Sequence, residues 1–119
     1  MRVAFAHDAT LLMPPDADAR APGAAVTVAL CGDWEHEPPC PLAAHHTSAT
    51  RHGDELRLHI LFATEPDAEE TVRRHIDAAL AAGELHGPEG AVTHWTLQDS
   101  GPGELSEAER DHGDRLASG

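Results

Sequence analysis

A chain of 119 residues is long enough to close one modest hydrophobic core, and it reads as a single domain spanning 1–119. Its net charge of −13, counted with neutral histidines, argues against nucleic acid or an anionic membrane surface as a partner, because phosphate would be repelled. The apolar stretch at the N-terminus is too short for a signal peptide and no run approaches a membrane span, so the expectation is a cytoplasmic protein.

Lys, Asn and Tyr are absent, and Ile and Phe occur twice each. Residues with AT-rich codons are the missing ones, so the abundance of Ala, Arg and Glu carries little functional information. The 10 histidines are a different matter, since that bias does not inflate them.

In chain order, Arg2–His7 alternates, with Val3, Phe5 and His7 on one side, and predicts a first strand. The Pro/Asp/Gly run from Pro14 to Gly23 predicts a loop. Ala25–Cys31 alternates as a strand would, with Val26, Val28 and Leu30 facing one way. Gly53-Asp54, lying between two extended runs, predicts a β-hairpin over about 46–63 with a type II′ turn. That register sets His52 opposite Glu55, Ser48 opposite His59, His46 opposite Leu61 and His45 against Phe62. Residues 56, 58, 60 and 62 then form the apolar face.

Pro66 and the acids after Thr64 predict a helix start, and the helix runs over about 66–82 to Gly83. Ala68, Val72, Ile76, Ala79 and Leu80 form its apolar stripe, while the Glu69–Arg73 and Glu70–Arg74 pairs are assigned to a solvated face. Ala91–Gln98 reads as a last strand running parallel to the one at 55–63, and Ser100–Gly103 as a break. Ser106-Glu107-Ala108-Glu109 is a capping box for a short C-terminal helix that Gly113 weakens. The fold class expected is α+β: a mixed four- or five-stranded sheet with the hairpin, one covering helix and the short C-terminal helix. Trp34 and Trp95, in so aromatic-poor a chain, are read as half-buried or as interface residues.

The chemistry is concentrated in the Cys/His-rich loop 31–46, which contains both cysteines. Thiolate and imidazole are the ligands zinc prefers, usually four in a tetrahedron, and Cys31, His36, Cys40, His45 and His46 offer a full set. Pro38, Pro39 and Pro41 stiffen the chain around Cys40, which lowers the entropy lost on closing around an ion. Asp33, Glu35 and Glu37 are available to orient the imidazoles or to ligate directly. His46 is the better ligand of its pair, because His45 falls on the apolar face. His59, a diagonal neighbour of His46 at roughly 7–8 Å, is a further recruit. The spacing C-x4-H-x3-C-x4-H-H departs from the C-x2-C and H-x3-H of standard zinc motifs, and free buried thiols, surface histidines and a disulfide stand beside it as alternatives.

The expected function is a small metal-binding protein, with Zn2+ held in a structural or metal-handling role. Two rivals stand beside it. One is a metal-free module that forms a homodimer through the open sheet face. The other is a small zinc hydrolase with Glu35 or Glu37 as general base, although no H-E-x-x-H signature or phosphate-cradling loop is present.

Overall fold

The computed structural model describes residues 2–31, 44–86, 90 and 92–118. Along them run β1 (Val3–Leu12), α1 (Ala21–Cys31), β2 (Ala44–His52), β3 (Glu55–Thr64), a 3-10 turn (Pro66–Ala68), α2 (Glu69–Ala81), β4 (Glu84–His86), β5 (Val92–His94), β6 (Thr96–Gly103) and α3 (Glu107–Ser118). The main sheet has the order β2-β3-β1-β6, and β4 pairs with β5 in a separate ribbon. This is an α+β fold with the hairpin, the covering helix and the C-terminal helix in place. Every neighbouring pair of strands is antiparallel. β3 and β6 run in the same direction, but β1 lies between them, so the connection through α2 is split. The order and connections are those of the βαββαβ, or ferredoxin-like, topology.

The hairpin follows from its turn. Gly53 has φ +64, as the first central residue of a type II′ turn requires, and among the described residues only glycines have positive φ. The β2–β3 register pairs His52 with Glu55, Ser48 with His59 and His46 with Leu61. Alternation then sends Leu56, Leu58, Ile60 and Phe62 to one face, where all are buried. β1 adds Phe5, His7, Ala9 and Leu11 to the same face, opposite Phe62, Ile60, Leu58 and Leu56.

Two helices cover this face. α2 presents Val72, Ile76 and Leu80, all fully buried, at helical spacing. Gly83 stops it with φ +72, and its carbonyl accepts the Trp95 amide. Trp95 is 6% exposed, and its indole N–H donates to the Leu80 carbonyl at 2.8 Å, which satisfies one of the orphan acceptors at the helix end. It is therefore a core residue rather than an interface one, while Trp34 lies outside the described residues.

The second covering helix, α1, corrects the strand expected over Ala25–Cys31. Its buried residues are Ala21, Pro22, Ala25, Val26 and Leu30, a helical stripe. The segment is apolar all round, so alternation and helical spacing fit the same letters, and the alanines tip the balance toward helix. The first strand extends further than expected, to Leu12. Ser100–Gly103 is not a break but the end of β6, which pairs Ser100 with Ala9 and Pro102 with His7 across a bulge near Thr10. Pro and Gly are tolerated there because β6 is an edge strand.

α3 lies on the opposite face, over β1 and β3. Its capping box is formed as its sequence implies: the Ser106 amide donates to Glu109 Oε1 at 2.9 Å, and the Glu109 amide donates to Ser106 Oγ at 3.2 Å. Gly113 is buried and does not act as a weak point; a Cβ there would sit 2.5 Å from the Ala4 Cβ. Glycine lets the helix approach the sheet. The substitution Gly113→Ala should therefore destabilise the protein by about 1–3 kcal/mol in urea unfolding. Helix propensity alone predicts a gain of about 1 kcal/mol, so a more stable variant would show that α3 does not dock this closely.

Candidate functional site

The Cys/His-rich stretch joins two neighbouring elements. α1 ends at Cys31 and β2 begins at Ala44. His36 and Cys40 lie outside the described residues, and for Cys31 only the backbone position is described. His45 and His46 are successive strand residues and point to opposite faces of the sheet. His45 faces α1, with its Nε2 3.0 Å from Thr27 Oγ1. Thr27 stands one helical turn before Cys31. His46 faces α3 instead, its ring 4.9 Å from that of His112. His45 is thus on the side of the sheet that α1 covers, and His46 on the side that α3 covers. His59 shares the His46 face and is occupied by two carboxylates, described below.

Beside His45, α1 and β2 border an open cavity of about 530 Å3 lined by Arg20, Gly23, Thr27, His45, Thr47 and Leu58 among others. Its walls are small, and Gly23 of α1 lies beside the Thr47 side chain. Thr47 Oγ1 is buried without a hydrogen-bond partner among the described residues. Among those residues, no three His, Cys, Asp or Glu side chains stand together as a metal set.

Two further histidines hold polar clusters that the sequence does not reveal. His7, 1% exposed, lies under α2. Arg73 Nη1 donates to its Nδ1 at 3.0 Å, and Nε2 lies 2.8 Å from Ser100 Oγ and 3.0 Å from Asp77 Oδ1. Ser100 Oγ donates to the same Asp77 oxygen at 2.5 Å. These are Ser, His and Asp, but not in the arrangement of a nucleophile. A serine is activated when the imidazole turns a lone pair toward its hydroxyl. Here Arg73 takes the lone pair at Nδ1, Nε2 carries the proton, and the serine proton goes to Asp77. The cluster ties α2 to β1 and β6. Arg73 is correspondingly not on a solvated face: its side chain is 14% exposed, it also donates to the Ala6 carbonyl and to Glu69, and it lies over the Phe62 ring. Burial lowers the His7 pKa, the Asp77 hydrogen bond and charge oppose this, and the Arg73 charge lowers it further, for a net downward shift.

His59, on the other face, sits between β1 and α3. Nδ1 is 2.5 Å from Asp8 Oδ1, and Nε2 is 2.5 Å from Glu109 Oε2. The second contact is off the N–H direction, an ion contact rather than an aligned hydrogen bond. Burial lowers the His59 pKa, but the hydrogen bond and charge of Asp8, with the charge of Glu109, outweigh it and the net shift is upward. Glu109 is shifted downward, first by the Ser106 amide and then by the Ser106 side chain and His59, with burial opposing them. The two carboxylates take opposite edges of the ring and do not converge on a common point, so this is a clamp for α3 rather than a chelate.

No protein-family model, curated protein or solved structure matches the chain. The topology itself hosts many unrelated functions and assigns none. No helix among the described residues is long and apolar enough to cross a membrane.

The two histidines predict opposite pH responses. A raised His59 pKa contributes stability that is fully present below the unfolded value of 6.5 and is lost as pH rises through the higher folded value. The stability difference between the parent and His59→Gln should be about 1 kcal/mol near pH 6 and shrink toward pH 8, after discounting for the ring's partial exposure. His7 has the reverse sign: the unfolded chain takes up a proton near 6.5 that the folded chain refuses, so acid removes stability. His7→Gln should flatten that acid loss. Urea unfolding from pH 5 to 8 measures both, and a pH-independent difference for His59→Gln would count against the clamp.

Proposed function

We propose that the protein binds a transition metal, zinc by its donor set, through Cys31, His36, Cys40 and His45, in a structural or metal-handling role. The observation that carries this reading is the side on which His45 lies. Its ring meets Thr27 on α1, one turn before Cys31, so His45 lies on the side of the sheet where α1 runs. Two thiolates and two imidazoles are a complete tetrahedral set for zinc. The prolines around Cys40 reduce the entropy that the loop loses on closing. His46, turned to the other face, leaves the set.

Metal content by elemental mass spectrometry, on tag-free protein purified without chelator, tests this. About one zinc per chain is expected. Cys40→Ser should lower bound metal and melting temperature together. His45→Ala should weaken zinc binding by at least about tenfold, and His46→Ala should leave it unchanged. A parent protein without metal and with both thiols freely titratable would falsify the reading. Equal loss in His45→Ala and His46→Ala would overturn the choice of ligand.

A further inference from the structure

β1 outruns its partner at one edge. The β1–β6 ladder ends at Ala6 and Gly103, so Val3, Ala4 and Phe5 have no β6 residue opposite them. The chain leaves the sheet there through Glu104 and Leu105 and enters α3. The corner left open is a cleft of about 460 Å3. Phe5, Ala6 and Leu105 give it apolar walls, Arg73 reaches it from α2 and Arg110 from α3, and Glu104 borders it. Among the described residues its lining shares nothing with the cavity beside His45 or with the Cys/His-rich stretch.

The two guanidiniums contribute differently. Arg73 is a brace: its Nε donates to Glu69, and its Nη1 donates to the Ala6 carbonyl and to His7 Nδ1. Its Nη2 has no hydrogen-bond partner among the described residues, so one edge of the fork keeps donors to spare. Glu69 already balances its charge. Arg110 supplies the charge that Arg73 lacks. It is exposed, and although acids outnumber arginines 21 to 8, no carboxylate among the described residues stands within ion-pair distance of it.

We infer that this cleft binds a small organic acid with one carboxylate and an apolar body. Planar guanidinium forks match a carboxylate, and here one is held in place by its other bonds while the second brings an unbalanced charge. The carboxylate lies between Arg110 and Nη2 of Arg73, and the body lies against Phe5 and Leu105. Glu104 limits the guest to a single negative charge, because a dianion would meet its carboxylate in the same cleft. The −13 of the chain does not override the local pair, since at physiological salt exposed charges beyond about 8 Å are largely screened. This binding is independent of the metal reading.

The test is a titration of the 15N-labelled full chain, followed by amide chemical shifts, with phenylacetate, phenylacetamide and inorganic phosphate as probes. Phenylacetate should shift the Phe5, Ala6, Gly103 and Leu105 amides saturably, with a Kd of about 1 mM. It should bind at least about tenfold tighter than phenylacetamide, which has the same body and no charge, and tighter than phosphate. Arg110→Gln should weaken phenylacetate at least about tenfold and leave urea unfolding as in the parent, because the side chain braces nothing. Glu104→Gln should tighten it by about threefold. The proposal is overturned if phenylacetate leaves these amides unmoved, if the amide or phosphate binds as well, or if a folded Arg110→Gln binds like the parent. Should Arg110→Gln not fold, Glu104→Gln decides: equal or weaker phenylacetate binding in that variant overturns the assignment.

Discussion

β1 is hydrogen-bonded along both edges and covered on both faces, and that double demand organises the molecule. Its odd residues serve the α1/α2 layer, which takes Phe5, Ala9 and Leu11 as core and His7 as a polar junction. Its even residues serve α3, and there space is short. Ala4 and Ala6 are small, Gly113 faces Ala4, and a Cβ at Gly103 would fall on the Asp8 carboxylate. A strand covered on only one side would tolerate larger residues at those positions. The price of sandwiching β1 is that one layer must be thin.

Histidine does two unlike jobs in this framework. His7 is a neutral relay, its lone pair occupied by Arg73 and its proton directed at Ser100 and Asp77. His59 is held between two carboxylates, which favour its charged form. The difference comes from neighbours: an arginine beside the first ring and acids on both edges of the second. With no lysine in the chain, every permanent side-chain cation is a guanidinium, whose fork reaches several acceptors at once. Arg73 joins a carboxylate, a carbonyl and an imidazole, and Arg51 gathers the carbonyls of the segment that leads into α1. These two arginines serve as multi-point braces rather than as surface charge.

The hairpin was legible to the residue, because Gly53-Asp54 and the alternation of 56–62 are both local signals. The α2 stripe, its glycine stop and the α3 capping box were legible for the same reason. α1 was not. Val26, Thr27 and Val28 mimic a strand, and the alanines together with packing against α2 and β2 decide for helix. The Ser100–Gly103 strand was hidden by residues that usually end strands, and it forms because β1 offers an edge that tolerates them. The site is a mixed case. The Cys/His-rich stretch announces itself by composition, yet which of its adjacent histidines faces α1 depends on the strand's side of the sheet. The His7 and His59 rings meet partners 50 (Glu109) to 93 (Ser100) positions away and leave no sequence pattern.

The strand order has a consequence for how the chain reaches this state. β2 and β3 are adjacent in sequence and close a tight turn, so their ladder costs little loop entropy and is expected to form early. β1 must wait. Its partners are β3, across some fifty residues, and β6, across some ninety. On a ribosome β1 therefore emerges before both of its partners and completes its pairing last, with Phe5, Ala9 and Leu11 uncovered in the interval. The sparing use of large apolar residues in that strand keeps the waiting surface small.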